Sequence, residues 1–232
     1  MLLSLQNIEA GYGKKKILNS ISMDIEAGQV VALLGHNGAG KSTTLKSIMG
    51  DLKTTAGSIS LNGKPMDRLS TTQRVKQGVR MLPEGRGVFA DLSVGENIDV
   101  VAAANCTHAT SLFTRDDVLS IFPVLAERLE SRSGDLSGGQ QQMLAFSLAI
   151  LGNPALLLLD EPSVGLAPNL VERLLQQVRT VCKEKQVGAI LVEQNVGAAL
   201  EVSDYIVVLN AGEIVFRGTP EDARGTDFWE YF

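Results

Sequence analysis

The sequence predicts an α/β protein with an antiparallel β subdomain at its amino end and a helical subdomain inserted into a core that contains a parallel sheet. Three observations support this fold class. Residues 30–34 and 156–159 are short and wholly apolar, which is typical of strands buried on both faces. Segments near the amino end alternate apolar and polar side chains, as half-buried antiparallel strands do. From Ser93 to Leu151, helical signals dominate.

The antiparallel unit is predicted from three segments. The first runs from Ser4 to Glu9, and the second covers 20–26, where apolar and polar residues alternate. The third is Ser58 to Leu61, which is closed by Asn62-Gly63, a dipeptide that favours a tight hairpin turn. We therefore expect these segments to pair as antiparallel strands.

A phosphate-binding loop is predicted between the first apolar strand and the helix that follows it. That helix is predicted from Ser42 to Met49 with Gly50 as its stop, so the motif has the strand–loop–helix context that it requires. Glycines let successive N–H groups turn toward phosphate oxygens, while Lys41 would reach the β- and γ-phosphates and Ser42 would offer a hydroxyl to Mg²⁺. A glycine-rich turn that only connects two elements is the alternative interpretation. The predicted loop and the first residues of its helix are Gly35-His36-Asn37-Gly38-Ala39-Gly40-Lys41-Ser42-Thr43.

A second anion site is predicted at the start of another helix. The segment is Ser137-Gly138-Gly139-Gln140, followed by an apolar run of good helix formers. Ser137 is placed to cap that helix, and the free N–H groups of its first turn could bind an anion next to two small residues. Taken alone, such a segment is also typical of an ordinary cap and turn.

Two carboxylates follow the second apolar strand. Pro154 and Pro162 limit the run of leucines between them to strand length, and Asp160 and Glu161 come at its carboxyl end. Open α/β sheets bind ligands at that end of their strands. Asp160 is therefore placed to hold Mg²⁺ and Glu161 to orient or deprotonate a water molecule. A solvated acidic loop after a strand is the alternative.

These three motifs, in this order, resemble those of the ATP-binding cassette (ABC) ATPases. The resemblance extends from Leu3 to about Gly218 and implies a P-loop NTPase (RecA-like) core that binds ATP and Mg²⁺. We expect residues 1–84 and 155–232 to form that core with its β subdomain, and 85–154 to form the helical subdomain.

The resemblance also implies a head-to-tail dimer. ATP would lie between the phosphate loop of one subunit and the 137–140 segment of the other, and residues 163–167 would lie at the dimer interface. Tyr12 would stack on adenine, although a lone surface tyrosine is also common as amphipathic cover. The basic run Lys14-Lys15-Lys16 beside it is interpreted as a solvated hairpin tip, with attraction of phosphate as the alternative.

Two positions depart from the general ABC pattern. Glu84 stands where most relatives have glutamine, and its carboxylate can still reach Mg²⁺ or a water. Gln194 stands where most have a switch histidine; it can donate a hydrogen bond to the γ-phosphate or to water but cannot carry charge. A histidine-dependent hydrolysis is therefore excluded. The predicted catalytic residues are Glu161, Gln194 and Glu84, and the predicted metal ligands are Ser42, Asp160 and Glu84.

Three further segments resemble one branch of the importers. They are Pro83-Glu84-Gly85-Arg86, Ser163 with Gly165-Leu166-Ala167-Pro168, and Val192-Glu193-Gln194-Asn195. That branch is the second ATPase subunit of transporters for branched-chain and other hydrophobic amino acids, and a similar branch serves urea and short-chain amides. The resemblance implies work with a second ABC ATPase or a second copy of this chain, with transmembrane permease subunits and, indirectly, with a solute-binding protein.

Two other classes of function stay open at this stage. A soluble ABC ATPase of repair or translation is one, although a single cassette without long insertions argues against it. A nucleotide-sensing subunit with little hydrolysis of its own is the other. The predicted catalytic carboxylate of Glu161 argues against this class, whereas the departures at Glu84 and Gln194 keep it open.

Composition narrows the surroundings in which the protein works. The net charge of −5 argues against a partner as acidic as nucleic acid, which requires a basic face. No apolar run approaches the roughly 20 residues that span a bilayer, and the amino end lacks the features of a cleaved leader. We expect a cytoplasmic protein that is peripheral on the inner face of the membrane, with Cys106 and Cys182 reduced.

Two apolar surfaces complete the expectations. Val88, Phe89 and Leu92 would form a patch that either receives a short helix of the membrane subunit or fills the joint between subdomains. An aromatic tail at 228–232 is expected to pack on the body or on a partner.

Overall fold

A computed structural model describes residues 1–85, 87–105 and 113–225. The predictions that concern Arg86, Cys106 and the aromatic tail lie outside these residues. Two sheets organise the chain, and helices cover the larger of them, so the predicted α/β fold class is confirmed.

The smaller sheet is the predicted antiparallel unit. Its strands lie in the order β2-β1-β4-β5. A tight turn joins the last two strands, with Asn62 and Gly63 at φ 50° and 72°, the left-handed values that such turns require. The strand bounds are Leu3–Tyr12 (β1), Lys15–Ile25 (β2), Thr54–Leu61 (β4) and Lys64–Pro65 (β5).

The larger sheet has the strand order β10-β9-β3-β8-β7-β6. Every neighbouring pair is parallel except β9 and β10, which form an antiparallel hairpin. The strand that leads into the phosphate loop therefore lies beside β8, and β8 separates it from the strand that ends in the two carboxylates. The bounds are Val30–Leu34 (β3), Val79–Leu82 (β6), Leu156–Asp160 (β7), Gly188–Val192 (β8), Tyr205–Asn210 (β9) and Glu213–Gly218 (β10).

The central strands are buried on both faces, as their apolar composition predicts. Alternate residues of β7 enter two different cores: Leu157 and Leu159 pack toward the helical side, whereas Leu156 and Leu158 pack toward the antiparallel sheet. Burial on both sides fixes the register, because a slip of one residue would exchange the two faces. The carboxyl ends of β3, β7 and β8 are thereby held at one edge.

Helices pack on the parallel sheet and continue between β6 and β7. Four of them, α3 to α6, come between those strands in the chain, which agrees with a helical insertion; the limits 84/85 and 154/155 stay a prediction. Within the described residues, no helix has both the length and the apolar character needed to cross a membrane. The bounds are Lys41–Met49 (α1), Thr71–Lys76 (α2), Val94–Asn105 (α3), Arg115–Ile121 (α4), Pro123–Ala126 (α5), Gly138–Leu151 (α6), Pro168–Lys185 (α7), Val196–Val202 (α8) and Pro220–Arg224 (α9).

Candidate functional site

A cleft of about 440 Å³ opens at the carboxyl edge of the parallel sheet. It is the position at which parallel α/β sheets bind ligands, because loops from several strands converge there. Five separate parts of the sequence meet around it: the β1–β2 hairpin, the phosphate loop with α1, and the segments that follow β6, β7 and β8. The lining residues are Lys15, Ile17, Asn37, Gly38, Gly40, Lys41, Ser42, Thr43, Glu84, Glu161 and Gln194.

Glycine is required at two positions of the phosphate loop. Gly35 has φ 142°, and a Cβ there would lie 2.2 Å from the carbonyl oxygen of Leu209. Gly40, the N-cap of α1, has φ 113°, and a Cβ would lie 2.7 Å from a methyl group of Leu18. Gly38 has φ 88° but no atom would come within 4 Å of its Cβ, so its outer side is open to the cleft. The loop is thus fixed against the protein on one side and accessible on the other.

Lys41 is buried and turned into this loop. Its ammonium donates hydrogen bonds to the carbonyl oxygens of Gly35, at 2.6 Å, and His36, at 3.1 Å. Burial lowers the pKa of the ammonium, while the nearby negative charges of Glu161 and Asp160 raise it. A phosphate oxygen in the loop would be a stronger acceptor than either carbonyl, because it carries a negative charge that attracts the ammonium.

Ser42 and Asp160 form the pair of oxygen donors that suits a magnesium ion. The Ser42 hydroxyl donates to the Asp160 carboxylate over 3.3 Å, and Asp160 is only 4% exposed. Burial is the main cause that raises the pKa of Asp160, and the charges of Glu161 and Glu84 add to it. A bound cation would stabilise the charged form of such a buried carboxylate. A hydroxyl and one carboxylate, with the phosphates of a nucleotide, are ligands that Mg²⁺ prefers, so the donor set fits this ion.

Glu161 is held in a strained backbone conformation. Its φ of 51° lies in the left-handed region, where a residue with a side chain rarely occurs. The N–H of Glu161 donates to the carbonyl of Val192 at the end of β8, over 2.9 Å. Its carboxylate accepts a hydrogen bond from the amide of Gln194 at 2.8 Å. Both contacts come from the neighbouring strand, which therefore sets where this carboxylate points in the cleft.

A further contact at the same place was not predicted from the sequence. The carboxylate of Glu193, which is 1% exposed, accepts hydrogen bonds from the backbone N–H of Ser163 at 3.1 Å and from its hydroxyl at 2.6 Å. One signal could have indicated it. By the two-residue period of a strand, Glu193 lies on the same face as the buried Leu191, so a charged residue stands where the pattern continues an apolar face.

The 137–140 segment lies at the start of α6 and does not line the cleft. Ser137 caps α6 as predicted: its hydroxyl accepts from the N–H of Gln140 at 3.3 Å, and the Gln140 side chain accepts from the N–H of Ser137 at 3.0 Å. Ser137 and Gly138 are exposed, and no atom would come within 4 Å of a Cβ at Gly138. At Gly139 a Cβ would lie 2.7 Å from a methyl group of Leu170.

The other predicted site residues are spread around the cleft. Tyr12 is 49% exposed and does not line it, whereas Lys15, three residues further along the hairpin, does. The ring of His36 is turned away from the cleft, with one nitrogen 3.0 Å from the side-chain oxygen of Asn210. Ala39 is fully buried in the core, so it can offer only its backbone to a ligand.

The predicted apolar patch lies partly on the surface. Phe89 is 53% exposed, while Val88 packs against the helical core. The backbone of Phe89 is fixed by the buried Asn97, whose side chain accepts from its N–H at 2.8 Å and donates to its carbonyl at 3.0 Å. About half of the Phe89 surface is therefore accessible to a partner.

Comparison of the sequence with protein families gives a match that includes most of the residues lining this cleft. The family model described as ABC transporter matches residues 18–164. The high-affinity branched-chain amino acid transport ATP-binding protein BraG of Pseudomonas aeruginosa is 38% identical, over 94% of this chain and 93% of that protein. The probable branched-chain amino acid transport ATP-binding protein LivF of Archaeoglobus fulgidus is 36% identical, over 95% and 93%.

Solved structures show the same fold. The ATP-binding subunit of an ABC transporter superposes with a TM-score of 0.84 and 30% identity, over 97% of this chain and 92% of that one. A dimeric ATP-binding cassette in a post-hydrolysis state, bound to ADP and Pi, gives a TM-score of 0.81 at 21% identity, over 94% and 99%. At that identity the second similarity concerns the fold alone.

Proposed function

Because this chain belongs to the ABC transporter family, we propose that it is the ATP-hydrolysing, energy-coupling subunit of an importer for branched-chain or other hydrophobic amino acids. BraG and LivF, which are similar to this chain over more than nine-tenths of its length, carry branched-chain amino acid transport in their names. Neither name concerns urea or short-chain amides, so that alternative is not favoured. The observation that carries the proposal is the convergence of Lys41, Ser42, Glu161 and Gln194 at one cleft, with the buried Asp160 hydrogen-bonded to Ser42 behind it.

The phosphate loop binds the triphosphate of ATP in this proposal. Backbone N–H groups of residues 35–43 and the ammonium of Lys41 surround the β- and γ-phosphates. Ser42 and Asp160 hold Mg²⁺, with Glu84 reaching the ion or a water from the rim of the cleft. The ion, when bound, neutralises charge that develops on the phosphates.

Glu161 acts on the attacking water. Its carboxylate is at the end of a buried strand and is aimed by the amide of Gln194, so a water between them and the γ-phosphate would be oriented and could lose a proton to Glu161. Gln194 also has the hydrogen-bond capacity to contact the γ-phosphate, but it takes no part in proton transfer.

A second cassette completes the site. The exposed start of α6 does not line the nucleotide cleft of its own chain, whereas in a head-to-tail dimer Ser137, Gly138, Gly139 and Gln140 of one subunit would close over ATP bound to the other. Either a different ABC ATPase or a second copy of this chain takes that place. Tyr12 would then contact the adenine at the open end.

Permease subunits are the remaining partners. The half-exposed Phe89 with Val88 and Leu92 is proposed as the surface that they contact, and a solute-binding protein acts through them. The chain would work as a peripheral subunit on the inner face of the membrane. Residues 1–84 and 155–232 would act as the nucleotide-binding core and 85–154 as the subdomain that transmits its movement.

Steady-state ATP hydrolysis in the presence of Mg²⁺ tests this function. We expect turnover by the purified protein to rise more steeply than its concentration, and Glu161→Gln to bind ATP but lose turnover by about 100-fold or more. Glu172→Gln, the same change at an exposed position of α7, should have no effect.

Identifying the transported solute requires the assembled transporter. Reconstituted with its permeases, the complex should hydrolyse ATP faster when a binding protein loaded with leucine is added than with urea. Turnover that is absent from both the isolated protein and the full complex would contradict the proposed function.

A further inference from the structure

Two neighbouring side chains at the end of β8 hold two different parts of the segment after β7. Gln194 donates to the carboxylate of Glu161, and Glu193 accepts from the N–H and the hydroxyl of Ser163. The two side chains have different partners, so the two contacts do not replace one another. Together they connect the end of one strand to both ends of Glu161-Pro162-Ser163.

Glu193 is among the most deeply buried carboxylates of the chain. It is 1% exposed, and within the described residues no salt bridge joins it to a cation. Burial raises the pKa of its carboxyl, while hydrogen bonds from Ser163 and from the N–H of Asn195 lower it. Burying a carboxylate without a cation costs free energy, and a leucine here would continue the apolar face of β8. The carboxylate therefore calls for an explanation other than packing.

The segment that Glu193 holds has few other attachments. Residues 161–167 are neither strand nor helix, and two of their backbone hydrogen bonds, from Val164 to Glu161 and from Leu166 to Ser163, stay within the segment. Val164 is 53% exposed. Attachment to the parallel sheet comes from the end of β8, through the carbonyl of Val192 and the side chains of Glu193 and Gln194.

We propose that Glu193 is a positioning residue whose two hydrogen bonds with Ser163 form a clasp. The clasp keeps the strained Glu161 in its place beside the γ-phosphate. It also makes the 163–167 segment move together with Gln194. This inference rests on the proposed ATPase function. Without the clasp the segment can relax from its left-handed start, and the carboxylate of Glu161 loses its aim. Misplacement of a reacting group by about 1 Å can cost about 100-fold in rate.

Two substitutions of Glu193 distinguish the effect of its hydrogen bonds to Ser163 from the effect of its side-chain volume. Glu193→Gln keeps both contacts, since an amide oxygen can accept from the Ser163 N–H while its NH₂ donates to the hydroxyl oxygen. We expect kcat within about threefold of wild type. Glu193→Met has nearly the same volume but no acceptor of comparable strength, and we expect kcat to fall about 10- to 100-fold with the KM for ATP within about twofold.

Ser163→Ala provides the second half of a double-mutant cycle. Alone it removes one of the two hydrogen bonds, and we expect a fall in kcat of about threefold to tenfold. In the Glu193→Met background it should change kcat little, because the partner of the hydroxyl is already gone. If Glu193→Met does not fold, Ser163→Ala and Glu193→Gln still decide whether kcat follows the clasp.

Two controls show what a purely structural role would do. Asp204→Leu removes a half-buried carboxylate that accepts the N–H of Val30 at the opposite end of the sheet, at 2.9 Å. Ser147→Ala removes a buried hydroxyl that donates to the carbonyl of Met143 on α6. Neither substitution should alter kcat per folded ATP-binding site, whether or not it lowers the unfolding temperature.

Amide hydrogen exchange gives a measurement that does not depend on turnover. The N–H of Ser163 should exchange faster in Glu193→Met than in the wild type and Glu193→Gln. If the wild-type complex hydrolyses no ATP, the proposed function fails while this exchange still tests the clasp. Equal exchange in all three proteins, a folded Glu193→Met with wild-type kcat, or effects of the two substitutions that multiply would overturn the inference.

Discussion

The chain has two glycine-rich segments that open a helix, and they differ in what completes them. The phosphate loop enters α1 through Gly40, where no side chain caps the helix, so the N–H groups of its first turn are left for a ligand. The 137–140 segment enters α6 through a complete capping box. The first lies in a cleft beside buried charged groups, and the second lies on an exposed surface.

In the proposed dimer, this difference divides one binding site between the two segments. The phosphate loop has its ammonium, carboxylates and neighbouring strands within the chain, so we expect it to bind a nucleotide by itself. The start of α6 is stabilised by its own capping box and carries no charged side chain. A change in the first should therefore affect binding by one chain, and a change at the exposed positions of the second should affect only what two chains do together.

The largest effect is expected from Lys41→Ala. It removes a buried ammonium beside the phosphates, and loss of one partner of a buried charge pair should lower the affinity for ATP by about 1,000-fold. Calorimetric titration of the single chain with MgATP measures it. Lys46→Ala, at an exposed position of the same helix, is the control. Comparable affinities for the two variants would show that the loop does not bind through Lys41.

Gly138→Asp should separate binding from turnover. An aspartate in the first turn of α6 fits in open space and suits the positive end of the helix, so the unfolding temperature should not fall. Facing a partner's ATP, its charge would repel phosphate and lower turnover by about 100-fold, while MgATP binding by one chain is unchanged. A variant that hydrolyses ATP normally would contradict the role of this surface in a second site.

Gly139→Ala is the informative neighbour of that variant. Its Cβ would meet Leu170 inside the chain, so we expect a loss of stability rather than a specific loss of turnover. The two adjacent glycines would thus respond differently, one as a surface for a partner and the other as a packing position.

The glycines of the phosphate loop should show the same distinction in stability. Gly35→Ala places a Cβ 2.2 Å from a carbonyl oxygen at φ 142°, and we expect it to lower the free energy of unfolding by about 2 kcal/mol. Gly38→Ala, strained in φ but with free space around its Cβ, should cost about 1 kcal/mol. Urea unfolding without nucleotide compares them, and equal costs would mean that the contact with Leu209 relaxes freely.

The sequence predicts what is local in this site and misses what depends on strand order. The loop from Gly35 to Ser42 and the cap at Ser137 follow from short segments whose residues fix their own backbone. The contacts of Gln194 with Glu161 and of Glu193 with Ser163 require β8 to lie beside β7, although α7 separates these strands in the chain. No periodicity in the sequence encodes that adjacency.

The β1–β2 hairpin beside the cleft is predicted in part: its turn is local in sequence, but its contact with the phosphate loop depends on how the strands are arranged. Its basic run favours a solvated tip by sequence, and Lys16 does form an exposed ion pair with Glu9 at 2.7 Å. Lys15, however, lines the cleft, so the alternative of attracting phosphate gains support from the structure. Which residue of a hairpin faces a neighbouring loop depends on the twist of the whole sheet, which a short pattern does not report.

The smallest effect on nucleotide binding is expected at Tyr12, on the hairpin beside the cleft. Its ring is half exposed beside the cleft, so stacking on adenine would bury only one face, and we expect Tyr12→Ala to weaken MgATP binding by about 10-fold. Tyr12→Phe keeps the ring and should bind as the wild type does. Stacking of the ring on a base should contribute equally to the affinities for ATP and GTP. Tyr12→Ala leaves the phosphate contacts in place, so we expect it to lower both affinities by the same factor. If Tyr12→Ala binds ATP normally, the tyrosine is amphipathic cover of the hairpin and the adenine has another neighbour.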